Sequence, residues 1–107
     1  MGAREFNNDS SVHRVIQAAY KADKILAAID YAPLILAHAE VLNGKCATIL
    51  EIEEHKLQAA GAHYTGTPIE IDGNIITAKS PAQAKDLGDI VGRMIQGEVV
   101  TQAELAT

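Results

Sequence analysis

The sequence predicts an α/β fold in which a mostly parallel sheet lies between helices. Three observations carry this prediction. Short apolar runs alternate along the chain with helical periodicities. The run Ile25–Ile29 shows no polar alternation, as expected of a strand buried on both faces. Further on, Asp72-Gly73 separates two apolar runs, a strong signal for a C-terminal β-hairpin.

Taken in order, Asn8-Asp9-Ser10-Ser11 supplies several candidate N-caps for a first helix. Val12, Val15, Ile16, Ala19 and Tyr20 then recur at helical spacing. The strand Ile25–Ile29 stops at Asp30, and Pro33 falls in the first turn of the next helix, where a missing N–H costs little. Leu34, Leu36, Ala37 and Val41 form the apolar side of that helix, and Asn43-Gly44 is expected to end it. Cys46–Leu50 reads as a second strand, and Glu53–Ala60 as a short helix closed by Gly61. Pro68–Ile71 and Asn74–Ala78 form the hairpin, with a type I′ turn expected at Asp72-Gly73. Ser80-Pro81 opens a last helix that turns Ala84, Leu87, Ile90, Val91, Met94 and Ile95 to the sheet. There is no internal repeat or low-complexity linker, and the last ten residues are expected to fray.

Composition excludes several function classes. The chain has 107 residues, 48% of them hydrophobic and 21% charged, and this suits one folded domain. Aromatics make up only 4%, so the core must be built from Ala, Ile, Leu and Val. A net charge of −5 argues against nucleic acid as a partner, because counterion release needs clustered Lys and Arg. No run approaches the roughly 18 apolar residues of a membrane helix. The first residues include Arg4, Glu5 and Asp9 and cannot form a secretory signal. A lone cysteine, Cys46, leaves no internal disulfide. A cytoplasmic location is the expectation, with no cofactor and no metal.

The stretch Lys24-Ile25-Leu26-Ala27-Ala28-Ile29-Asp30-Tyr31-Ala32-Pro33 has the layout of a nucleophile elbow, a sharp turn that lifts one side chain out of a sheet. It resembles the DJ-1/PfpI (ThiJ) superfamily, whose elbow reads roughly Ala-Ala-Ile-Cys-His/Ala-Gly/Ala-Pro. Three later blocks are similar to segments of that family in the same order: Leu42-Asn43-Gly44-Lys45-Cys46-Ala47-Thr48, Leu57-Gln58-Ala59-Ala60-Gly61-Ala62-His63-Tyr64 and Ile71-Asp72-Gly73-Asn74-Ile75-Ile76-Thr77-Ala78-Lys79-Ser80-Pro81. The resemblance implies a partial flavodoxin-like fold of the class I glutamine amidotransferase type, three-layered and corresponding to the C-terminal part of the family fold, over residues 1–97 with 98–107 as a tail outside it. Family members run to about twice this length. The first strands, the acidic partner of the cysteine and the glycine turn of the oxyanion pocket are therefore expected to lie outside this chain.

The same resemblance assigns the candidate site. Asp30 and Tyr31 stand at the elbow cysteine and the residue after it, with Ala32 and Pro33 as elbow neighbours. A carboxylate at a helix N-terminus is a weak base and a poor nucleophile. Asp30 therefore reads as a helix N-cap, as a ligand-binding relic that approximates an oxidised cysteine, or as a catalytic carboxylate. His63 matches a position where some members carry a histidine near the elbow; it is either a proton relay or a polar residue at a strand entry. Tyr31 cannot shuttle protons near neutral pH as imidazole does. His13, His38 and His55 lie on helices without metal-ligand spacing and read as surface residues, and Cys46 as a buried core thiol.

By resemblance the family activities are intracellular proteolysis, chaperoning and chemistry on small aldehydes such as glyoxals. With no cysteine at the elbow, a non-catalytic member acting through association is expected. The alternative is a hydrolase or a glyoxalase- or protease-like enzyme completed by another chain. An elbow strand without its neighbour leaves an open sheet edge, so a homo-oligomer or a complementary chain is the expected partner.

Overall fold

The computed structural model describes residues 9–105. Asn8 and the segment Met1-Gly2-Ala3-Arg4 lie outside them. The elements run α1 (Ser10–Lys21), β1 (Leu26–Ile29), α2 (Pro33–His38), β2 (Cys46–Ala47), α3 (Glu54–Ala59), β3 (His63–Tyr64), β4 (Ile69–Asp72), β5 (Ile75–Ala78), α4 (Ala84–Ile95) and α5 (Gln102–Leu105). Single 3-10 turns at Glu51–Glu53 and Pro81–Gln83 lead into α3 and α4.

Local chemistry accounts for most boundaries. Asp9 caps α1, its Oδ1 accepting from the N–H of Ser11 at 2.9 Å and of Val12 at 3.3 Å. Ser80 caps the turn into α4, and its own N–H donates back to Gln83 Oε1 at 3.0 Å, a capping box. The hairpin forms one residue later than expected. Asp72 pairs with Ile75, so the loop is Gly73-Asn74, with Gly73 at φ 62. A positive φ at the first loop residue alone suits a II′ turn rather than the expected I′. α2 also stops early. Glu40 enters the left-handed region at φ 65, and the Val41 N–H reaches back to Leu36 O at 3.3 Å, so Val41 packs from beyond the helix.

The main sheet has the order β1-β5-β4, with β1 parallel and β4 antiparallel to β5. Its two faces bury different sets of residues. Ala28 and Ile75 point to the side covered by α2 and by the β2–β3 layer, among Leu34, Leu42, Ile49 and Leu57. Ile69, Ile71, Ile76 and Ala78 point to the other side, against Leu87 and Ile90 of α4. This gives the expected three layers, although Ala84 and Ile95 of α4 are exposed. On α1 no residue is fully buried, and Val15 is 70% exposed.

The second strand is shorter than the run Cys46–Leu50 suggested. Only Cys46–Ala47 pairs, in parallel with His63–Tyr64. Side chains of the main sheet fasten this small layer instead of a backbone ladder. The Cys46 N–H donates to Asp72 Oδ2 at 2.8 Å, and the Thr48 N–H donates to Thr77 Oγ1 at 2.9 Å. Thus Glu70 and Thr77 are buried although the alternation Ile69-Glu70-Ile71-Asp72 reads as a half-exposed strand.

The tail does not fray over its described part. Val100 is buried against the α4 side of the sheet, and Gln102 grips the outer edge of β4. Arg93 holds the tail through Glu98 and through Glu104, the latter at 2.7 Å. The Arg93 hydrogen bond lowers the Glu104 carboxyl pKa, so this exposed link fades as pH falls through that carboxyl's range.

Thr77→Val removes the acceptor of a buried N–H and should lower stability by about 1–3 kcal/mol, read from urea unfolding midpoints. Thr48→Val should be near neutral, because the buried Thr48 hydroxyl has no hydrogen-bond partner. Equal losses in the two variants would show that the Thr48–Thr77 bond does not fasten the layer.

Candidate functional site

The elbow forms where the sequence places it. β1 ends at Ile29, and Asp30 turns the chain at φ 64 while its N–H still donates to Ala78 O at 3.1 Å. The Ala32 N–H then closes onto Ile29 O at 3.0 Å, and the Leu34 N–H onto Tyr31 O at 3.0 Å. A left-handed backbone on a non-glycine residue is strained, and Asp tolerates it better than most because its short polar side chain can hydrogen-bond locally to the backbone. The turn thus presents a half-buried Asp30 at the carboxyl end of the parallel strands.

The N-cap reading of Asp30 is corrected by this geometry. The residue before α2 is Ala32, itself helical at φ −59 and without a side-chain cap bond, and Pro33 is buried at the first helical position. Asp30 lies two residues too early to cap, and α2 has only six residues to lend a dipole. Tyr31 and Ala32 are half-buried beside it.

His63 is not brought to the elbow. It is exposed and in register with Cys46, whose N–H bonds the side chain of Asp72. Asp72 pairs with Ile75, and Ile75 with Leu26, at the end of the sheet where β1 begins. Asp30 lies beyond Ile29, roughly 10 Å away along the strand direction. The residues that do share the elbow end are Thr65 and Thr67, whose hydroxyls are 2.9 Å apart, and Lys79, whose N–H donates to Pro68 O at 2.9 Å. The backbone bonds of the hairpin gather them there, and no local motif announces it. A cavity of about 590 Å³ opens beside them, between β4, α4 and α5, with Thr67, Gln83 and Asp86 in its wall; Asp30 does not line it.

Cys46 is half-buried rather than fully buried. Desolvation first, and then the Glu70 and Asp72 carboxylates, push its thiol above the ordinary value. That environment is the reverse of an activated thiolate, which needs nearby positive charge. His13 and His38 stack with ring centroids 6.5 Å apart and join α1 to α2, a contact that helical spacing within either segment could not show. Among the described residues, no group of three or more His, Cys, Asp or Glu side chains is placed to hold a metal ion. Nor is any described helix long and apolar enough to cross a membrane.

Comparison with known proteins decides the family. The DJ-1/PfpI family model matches residues 1–91. The chain belongs to the DJ-1/PfpI family. An uncharacterised protein of Methanocaldococcus jannaschii is 36% identical over 91 residues, which cover 82% of this chain and 44% of that protein. Among solved structures, a ThiJ/PfpI domain protein from Brachyspira murdochii superimposes with a TM-score of 0.86 at 23% identity, covering 92% of this chain and 57% of that one. DJ-1beta of Drosophila melanogaster gives 0.82 at 24% identity, covering 90% and 52%. The mixed α/β flavodoxin-like fold is therefore that of the DJ-1/PfpI family. This chain spans about half the length of the relatives it matches.

Two outcomes test the elbow and the thiol. Asp30→Val should cost at least about 1–2 kcal/mol in a urea melt, the penalty of a left-handed backbone, whereas Asp30→Gly and Asp30→Asn should unfold near the parent midpoint. Equal midpoints for all three would mean that Asp30 is not in the left-handed region. Alkylation of Cys46 by iodoacetamide should inflect above the free-thiol value of about 8.5 in the folded protein, and return to it in urea. An inflection below the free value would contradict the desolvated site.

Proposed function

We propose that this DJ-1/PfpI chain performs no cysteine chemistry and acts through association with other polypeptide. The observation that carries this reading is the identity of the elbow residue. Asp30 occupies the turn that lifts a nucleophile out of the sheet, while the sole cysteine lies at the far end with its thiol held protonated by burial and two carboxylates. A carboxylate cannot replace a thiolate in attack on a carbonyl without a far better leaving group, because its nucleophilicity is low. A stress-related or chaperone-like role is the form of association that the family resemblance suggests.

One observation favours a second reading, a hydrolase or a glyoxalase- or protease-like enzyme whose site another chain completes. The elbow keeps its strained backbone at φ 64 although no cysteine uses it, and such strain persists where function maintains it.

The purified chain should neither consume methylglyoxal nor hydrolyse peptide substrates, and a thiol alkylator should modify Cys46 alone. Turnover that is lost in Asp30→Asn and kept in Cys46→Ala would overturn the non-catalytic reading and make Asp30 a catalytic carboxylate.

A further inference from the structure

Cations are scarce in this acidic chain, nine Lys and Arg against a net charge of −5, and they are used unevenly. Lys56, Lys85 and Arg93 each hold a carboxylate, Glu53 at 2.8 Å, Asp89 at 3.2 Å and Glu104 at 2.7 Å. Lys21, Lys24 and Lys45 make no ion pair among the described residues, and all three line one cavity of about 460 Å³. It lies opposite the elbow, beside the pairing of β1 with β5, where the Leu26 N–H donates to Asn74 O at 2.8 Å.

The walls of this cavity are tied together. Asn74 Nδ2 donates to Asp23 O at 2.7 Å and joins the hairpin loop to the turn after α1. Asp23 makes that turn in the left-handed region, at φ 57. Lys45 is half-buried, with its Nζ 5.7 Å from the centroid of the Tyr20 ring. A ring face stabilises a cation without neutralising it, and a half-buried charge attracts an anion more strongly than one in bulk water. Lys21 stands in the last turn of α1, where it also answers the negative end of the helix dipole. That role does not extend to Lys24, beyond the helix, or to Lys45, on a distant segment. Two carboxylates share the cavity. Asp72 is engaged, its Oδ2 accepting from the Cys46 N–H at 2.8 Å, whereas Asp23 is exposed and opposes an anion.

We propose that this cavity binds a phosphate-bearing anion of two or more negative charges. Three ammonium groups line it and no guanidinium does. A lysine meets phosphate as a point charge from any side, whereas a planar carboxylate is matched best by the arginine fork. Neither turnover at the elbow nor the oligomeric state bears on this site.

Titration calorimetry of the full chain with pyrophosphate at low ionic strength should show one site. Lys45→Ala should weaken it at least about fivefold and Lys24→Ala at least about threefold, with the circular dichroism unchanged. Lys85→Ala, which removes the same charge from α4, should leave the affinity as it is. Asp23→Asn keeps the backbone carbonyl that Asn74 grips and suits a left-handed turn; it should tighten binding about two- to fivefold. Glu51→Gln, an equal change of charge at an exposed position outside the cavity, should not. Citrate should bind at least about threefold more weakly than pyrophosphate. If Lys45→Ala does not fold, Lys24→Ala and Asp23→Asn decide. A chain that does not bind pyrophosphate overturns the proposal. So does binding that Lys85→Ala weakens as much as Lys24→Ala, or that Glu51→Gln tightens as much as Asp23→Asn, because net charge alone would then hold the anion. Citrate bound as tightly as pyrophosphate overturns the assignment to phosphate.

Discussion

The structure is organised around β5. This central strand pairs with β1 on one side and β4 on the other, and all four of its residues are buried. Its side chains alternate between two separate apolar clusters, Ile75 in one and Ile76 and Ala78 in the other. Thr77 adds the polar contact that seats the β2 layer. The Ala78 carbonyl receives the Asp30 N–H and so sets the height of the elbow above the sheet. A strand placed this way cannot shift by one residue, because every side chain would change faces at once. The layers, the docked small sheet and the candidate site therefore share one register.

Burial of polar groups on this sheet follows from the same arrangement. Asp72 and Thr77 lie on the face that β2 covers, and each gives an oxygen to a backbone N–H that has no ladder partner there. The Glu70 carboxylate is buried on that face and accepts from the Thr67 hydroxyl at 3.2 Å. The electrostatic consequence reaches Cys46, which sits in a desolvated, acidic neighbourhood and is kept as a thiol. Structural needs at this end of the sheet thus oppose thiolate chemistry.

At the other end, the turn at Asp30 is held by local geometry. The turn depends on backbone bonds, Asp30 to Ala78 and Ala32 to Ile29, and on a side chain that tolerates a left-handed backbone. Asp meets that requirement as a conformational matter. Gln102 closes the outer edge of β4, whereas β1 pairs with β5 alone among the described residues.

The sequence by itself determined the α/β class, the order of the larger helices and strands, the turn at Asp30, a group of candidate caps that includes Asp9, and the helix start at Ser80. These follow from interactions within a few residues: an apolar run that stops at a charge, a side-chain oxygen reaching an N–H two or three residues on, a glycine that permits a positive φ. Tertiary structure decided what depends on distant segments. It shortened the second strand to Cys46–Ala47 and buried Glu70 and Thr77 beneath it. It moved the hairpin loop to Gly73-Asn74 and clamped the tail through Gln102. It also set His63 and Asp30 at opposite ends of the sheet, although the motifs had grouped them. Register between strands is fixed by pairing across tens of residues, and no local pattern in the chain encodes the resulting distance.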